Sequence, residues 1–143
     1  MRFVLLALLL ASCAVPEQKP EQKSEAPPPV APAPPAQKES VAVAGLMDSA
    51  RAETASGNLA GAAASLERAL RIEPRNPRLW HELARVRLKQ GQYAQAESVA
   101  ARSNSWAADD RALRAENWRL IAQAREARGD AEGAKAALDQ STR

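Results

Sequence analysis

Cysteine is nearly absent from this chain: Cys13 is the only one in 143 residues. An internal disulfide is therefore excluded, and with a single histidine, His81, so is a zinc cluster of the usual four Cys/His ligands. Aromatic residues make up 3%, too few for a stacking platform on single-stranded nucleic acid. The six glycines all fall after residue 44, and neither a GxGxxG fingerprint nor a Walker-type phosphate loop can be written with them. Charge is also modest. Lys plus Arg is 20 and Asp plus Glu is 17, a formal +3, short of what a nucleic-acid-binding surface needs. No nucleic-acid partner and no cofactor is expected. The parts list of most common enzyme classes is missing, and a non-enzymatic role is expected.

The first segment reads as an address. Residues 1–13 are Met-Arg-Phe-Val-Leu-Leu-Ala-Leu-Leu-Leu-Ala-Ser-Cys. One positive charge, Arg2, precedes an apolar run from Phe3 to Ala11, which is the layout of a secretory signal and too short for a membrane span. The run closes on Leu10-Ala11-Ser12-Cys13, which resembles the bacterial lipobox. The resemblance implies cleavage before Cys13, a signal peptide over 1–12 and a covalent lipid on Cys13. An ordinary signal peptide with a stray Cys is the alternative. The position of the sole Cys argues for lipidation, and the acyl chains, at about 0.8 kcal/mol per buried CH₂, would hold a soluble domain on a membrane. Ala14 in place of Asp after the Cys resembles the enteric sorting signal for the outer membrane and its periplasmic face.

A spacer follows. Residues 16–40, PEQKPEQKSEAPPPVAPAPPAQKES, hold eight of the ten prolines, four Glu and three Lys, with no Gly. Such a composition buries too little apolar surface to offset its ordering entropy. Residues 13–40 are expected to be a disordered tether, extended at about 3.1 Å per residue and reaching ~80 Å at most. A proline-rich ligand for an SH3-like domain is the rival reading.

From Val41 onward the chain is rich in Ala, Leu and Arg with helical periodicity, and it repeats. Gly57 and Gly91 are 34 apart; Gly91 and Gly129, and likewise Trp80 and Trp118, are 38 apart. The block Leu79-Trp80-His81-Glu82-Leu83-Ala84, then Gly91 and Tyr93, then Ala96, resembles the tetratricopeptide repeat. Three repeats are expected over 41–143, giving an all-α fold with helices near 43–56, 59–72, 77–90, 93–105, 110–128 and 131–140. Repeat two departs at its end: Ala69 and Pro74 become Ser103 and Ala108, and four extra residues precede repeat three. Small residues such as Ala50, Ala84 and Ala122 let paired helices approach, while Leu46, Trp80 and Trp118 fill the space between them. Trp106, in the irregular junction, is expected to pack. Gly57, Gly91 and Gly129 suit the left-handed ends of helices, and Asn58, Asn76 and Asp130 suit N-caps.

His81 could not by itself run a Ser-His or metal scheme, so it is read as solvated or groove-lining. Sites in tetratricopeptide-repeat proteins are surfaces, and the resemblance implies a groove lined by the first helix of each repeat. By repeat position it would hold Met47, Arg51, Arg78, His81, Arg85, Leu88, Lys89, Arg119, Gln123 and Glu126. Its basic stripe, Arg51, Arg78, Arg85, Lys89 and Arg119, would pair an acidic or C-terminal peptide. Solvated helix-forming arginines are the equal alternative. The carboxylate clamp of chaperone-binding repeats does not carry over, because Met47, Arg51 and Glu82 stand where it needs Lys and Asn.

Lipobox, Pro-rich spacer and a small C-terminal repeat domain together resemble the bacterial outer-membrane lipoproteins that activate a bifunctional, class A penicillin-binding protein. The resemblance implies a monomeric, non-catalytic module that reaches an inner-membrane synthase and raises its activity. The first alternative is a scaffold or pilotin for another envelope machine, such as a pilus, secretion or Tol-Pal-like assembly; a pilotin has no need of so long a spacer. The second is an enzyme accessory or a binder of peptidoglycan itself.

Overall fold

The computed structural model describes residues 40–143. The lipidation motif at Cys13 and the Pro-rich segment up to residue 39 lie outside the described residues. Six helices follow one another: α1 (Val41–Ala55), α2 (Leu59–Ile72), α3 (Pro77–Lys89), α4 (Tyr93–Trp106), α5 (Arg111–Ala127) and α6 (Ala131–Ser141). They form three antiparallel pairs, α1 with α2, α3 with α4 and α5 with α6, each stacked on the next.

Local chemistry sets the boundaries. The side chains of Ser40, Asn58, Asn76, Asp110 and Asp130 each accept a backbone N–H in the first turn of the following helix. Those donors have no partner inside the helix, so each cap is worth about 1 kcal/mol. Pro77 occupies the first turn of α3, where its missing N–H costs nothing. Gly57, Gly91 and Gly129 turn the chain within each pair at φ of 82, 73 and 81°, a conformation that a Cβ disfavours. The junction between α4 and α5 has no glycine. Ala108 takes φ 44° there, the one non-glycine residue among those described with positive φ.

Alanine is the contact residue of the core. Ala62, Ala69, Ala84, Ala96, Ala100 and Ala124 are wholly buried, which brings helix backbones close together. Larger side chains fill what remains, Val43, Leu66 and Leu79 in the first half and Ile121 in the second. Leu46 is partly buried and packs against that first cluster. The expectation that Trp80 and Trp118 fill the inter-helix space is corrected. Both are half-buried and pack against the edges of the two core clusters, whose central contacts are made by smaller side chains. Trp80 reaches the corner between α2 and α3, its Nε1 donating to Pro74 O at 2.8 Å, and its ring face is covered by the Arg102 guanidinium of α4 at 5.2 Å. Trp106 is also corrected: it is 38% exposed, with Arg75 stacked 5.3 Å from its ring centre.

The start of α1 is fastened to the corner between α2 and α3. The Ser40 N–H donates to Glu73 Oε1 at 2.9 Å, and Asn76 Nδ2 donates to Glu73 Oε2 at 2.8 Å. Desolvation by itself would raise the Glu73 carboxyl. The hydrogen bonds from the Ser40 backbone, the Asn76 amide and the Ser40 hydroxyl outweigh it and hold the carboxyl below its ordinary value of 4.5. These contacts therefore stabilise the fold fully above about pH 4.5, and the benefit is lost as the pH falls through the lower folded value. Thermal melts of wild type and Glu73→Gln should differ at pH 6 and converge as the pH falls through the lowered folded value. A constant difference across that range would show that Glu73 titrates as a free carboxylate.

Candidate partner-binding groove

The first helix of each pair, α1, α3 and α5, presents a run of connected recesses. At one end Met47, Arg51, Leu66, Arg85, Val86 and Lys89 enclose about 270 Å³. The run continues past Arg78, His81, Glu82, Leu113 and Glu116, and ends at Arg119, Leu120 and Gln123. Period and pitch explain the gathering. Residues three, four and seven apart share one helix face, so Arg78, His81 and Arg85 line one side of α3. The structure thus places Arg51, Arg78, His81, Arg85, Lys89 and Arg119 along one surface.

The charge on that surface is mixed. Glu82, Asp110 and Glu116 sit among the five cations. Arg85 Nη1 lies 3.2 Å from both carboxylate oxygens of Glu82, and Arg51 Nη1 lies 2.8 Å from Asp48 Oδ1. These two arginines are thus partly neutralised within their own helices. Arg78, Lys89 and Arg119 make no ion pair among the described residues. Of the basic stripe expected from sequence, Arg51 and Arg85 have acidic partners nearby, as the alternative reading has it, whereas among the described residues Arg78, Lys89 and Arg119 do not. Met47, Val86 and Leu113 supply an apolar floor.

Of the two readings of His81, solvated or groove-lining, the structure fits the second: it is 9% exposed and lines the groove. Its Nδ1 lies 2.8 Å from Oδ1 of the fully buried Asn117. Both amide hydrogens of Asn117 are committed, one to Ser103 Oγ at 2.7 Å and one to Asn104 Oδ1 at 2.9 Å. Asn117 Oδ1 is therefore the acceptor, and His81 Nδ1 carries the proton. Ser103 in turn donates to Pro77 O at 2.8 Å. The chain of bonds ties α3, α4 and α5 together beneath the groove. The other ring nitrogen, Nε2, is 3.7 Å from Glu116 Oε2 and forms part of the groove wall. This network was not anticipated from sequence. Its only sign there is the departure of Ser103 from Ala69 and of Asn117 from Leu79 at matching repeat positions.

An all-helical stack of three antiparallel hairpins, each turned by a left-handed glycine and lined on its first helices, defines a tetratricopeptide-repeat protein. Residues 53–116 match the tetratricopeptide repeat family. The solved globular C-terminal domain of P. aeruginosa LpoP is similar to this chain at 47% identity and a TM-score of 0.72. The match covers 74% of this chain and 100% of that one. The chain belongs to the LpoP-like family of tetratricopeptide-repeat proteins. No curated protein matches it.

Proposed function

We propose that this protein is a lipid-anchored outer-membrane activator of a peptidoglycan synthase. Its repeat domain binds an inner-membrane class A penicillin-binding protein and raises its activity without performing chemistry. The observation that carries this reading is the 47% identity to the whole LpoP C-terminal domain. The order of lipobox, Pro-rich spacer and repeat domain supports it, since it resembles activators of that kind. In this reading the synthase docks in the groove, where Arg78, Lys89 and Arg119 hold its carboxylates and Met47, Val86 and Leu113 take its apolar contacts. Activation follows from binding one conformation of the synthase more tightly than the others.

Among the described residues no helix is long and apolar enough to cross a membrane. In this reading the anchor is lipid on Cys13, on the resemblance of Leu10-Ala11-Ser12-Cys13 to the lipobox. Cys13→Ser should remove palmitate labelling and shift the protein out of the outer-membrane fraction. A variant that still carries label would contradict lipidation at Cys13. The partner is tested by crosslinking in intact cells and capture of the protein from the envelope. A class A penicillin-binding protein should be the main crosslinked species; a secretin or pilus component in its place would overturn the assignment.

A further inference from the structure

A second recess lies away from the groove, between the end of α4, the start of α5 and the end of α6. It encloses about 380 Å³ and is lined by Asn104, Arg111, Arg114, Trp118, Gln140 and Arg143, among others. No acidic side chain lines it, and none of its three arginines makes an ion pair among the described residues.

Its origin is visible in the repeat pattern. Trp118 matches Trp80, so repeat three should begin its first helix at Ala115, the counterpart of Pro77. Helix α5 starts instead at Arg111 and has 17 residues where α3 has 13. The four additional residues, Arg111-Ala112-Leu113-Arg114, form one extra turn at its N-terminus. Leu113 is buried and pays into the core, but both arginines are exposed. They stand in the first turn of α5, beside Asp110, whose carboxylate caps that turn without forming an ion pair with either arginine. Arg143 approaches from the end of α6. Asn104 Nδ2, buried and without a hydrogen-bond partner among the described residues, belongs to a side chain on the border of the same recess. Three unpaired guanidinium groups around one recess that holds no acidic side chain are complementary to an anion.

We propose that this recess binds a carboxylate of a peptide partner, held by Arg111, Arg114 and Arg143 with its neighbouring apolar side chain against Trp118. Arginine forks match a carboxylate bidentately, and the half-buried indole and Ala115 offer the apolar wall that a peptide uses and an inorganic anion does not. The site goes beyond the groove and uses none of its unpaired cations.

The test is calorimetric titration of the full chain, purified in detergent. The probes are N-acetyl-Ala-Leu-Glu with a free C-terminus, its uncharged analogue N-acetyl-Ala-Leu-Gln-amide, and inorganic phosphate. The acidic peptide should bind at least ~10-fold more tightly than the amide, and Arg111→Ala with Arg114→Ala should weaken it by at least ~10-fold. Arg143→Ala should weaken it in the same direction. Loss of binding in Arg78→Glu with Arg119→Glu, while the Arg111/Arg114 variant binds as wild type, would place the peptide in the groove and overturn the proposal. The Arg111/Arg114 variant should melt no lower than wild type, because Ala favours helix. A lower melting point with unchanged binding would make these arginines structural and overturn the proposal. Absence of binding, equal affinity for the amide, or tighter binding of phosphate would each overturn it too.

Discussion

Asn117→Ala should destabilise the domain by about 3 kcal/mol and lower its melting temperature by roughly 12 °C or more. The cost arises from what the substitution strands. His81 Nδ1–H loses its acceptor inside the protein, and Asn104 Oδ1 and Ser103 Oγ lose their donor. Each buried polar group left unpaired costs about 1–3 kcal/mol. The side chain removed is fully buried, so a void adds to the loss. Asn117→Leu, which copies Leu79 of repeat two, should do little better. It restores volume but sets a methyl group against the His81 N–H. The check is thermal and urea unfolding of both variants. A loss below about 1 kcal/mol would mean that water replaces the amide at no cost, and that the network does not hold α3, α4 and α5 together.

Reversing two of the unpaired groove cations, Arg78→Glu with Arg119→Glu, should leave helicity and melting temperature near wild type while abolishing measurable binding to the synthase. Both residues are exposed and make no ion pair among the described residues, so little in the fold depends on them. At an interface the same change replaces attraction by like-charge repulsion and costs several kcal/mol, more than a 100-fold loss in affinity. Arg85→Glu is a poorer probe, because it also sets a new carboxylate beside Glu82. The measurement is surface-immobilised binding of the purified synthase at several salt concentrations. Wild-type binding should weaken with salt, and the variant should show no binding at any of them.

The sequence carries most of this fold in its punctuation. The glycines at 57, 91 and 129, the caps at Asn58, Asn76 and Asp130, and Pro77 set helix ends within about two residues of those observed. They are legible because each solves a local problem, an orphan donor or a left-handed turn, that the neighbouring residues reveal. Burial was less legible. Trp80 and Trp118 look like core residues by size, yet both pack at the edges of the core clusters, whose central contacts are made by smaller side chains. Repeat positions place Met47, Arg51, Arg78, His81, Arg85, Lys89, Arg119 and Gln123 on one surface, but Leu88 and Glu126, expected with them, line none of its recesses. The charge state of that surface did not follow from repeat positions, because whether Arg85 is free depends on the rotamer that brings it to Glu82. The His81–Asn117–Ser103 network was hidden for another reason. Its members come from three helices, and none is unusual alone.

The most direct measurement is the rate of glycan polymerisation by the purified class A penicillin-binding protein, with and without the lipid-free protein. Wild type should raise the rate, and Arg78→Glu with Arg119→Glu should not, at equal helicity. In the proposed reading the segment 16–40 is a spacer that supplies reach, so shortening it should leave the rate in solution unchanged while abolishing function in cells. No stimulation by the wild-type protein, at concentrations where its binding to the synthase is saturated, would contradict the activator assignment.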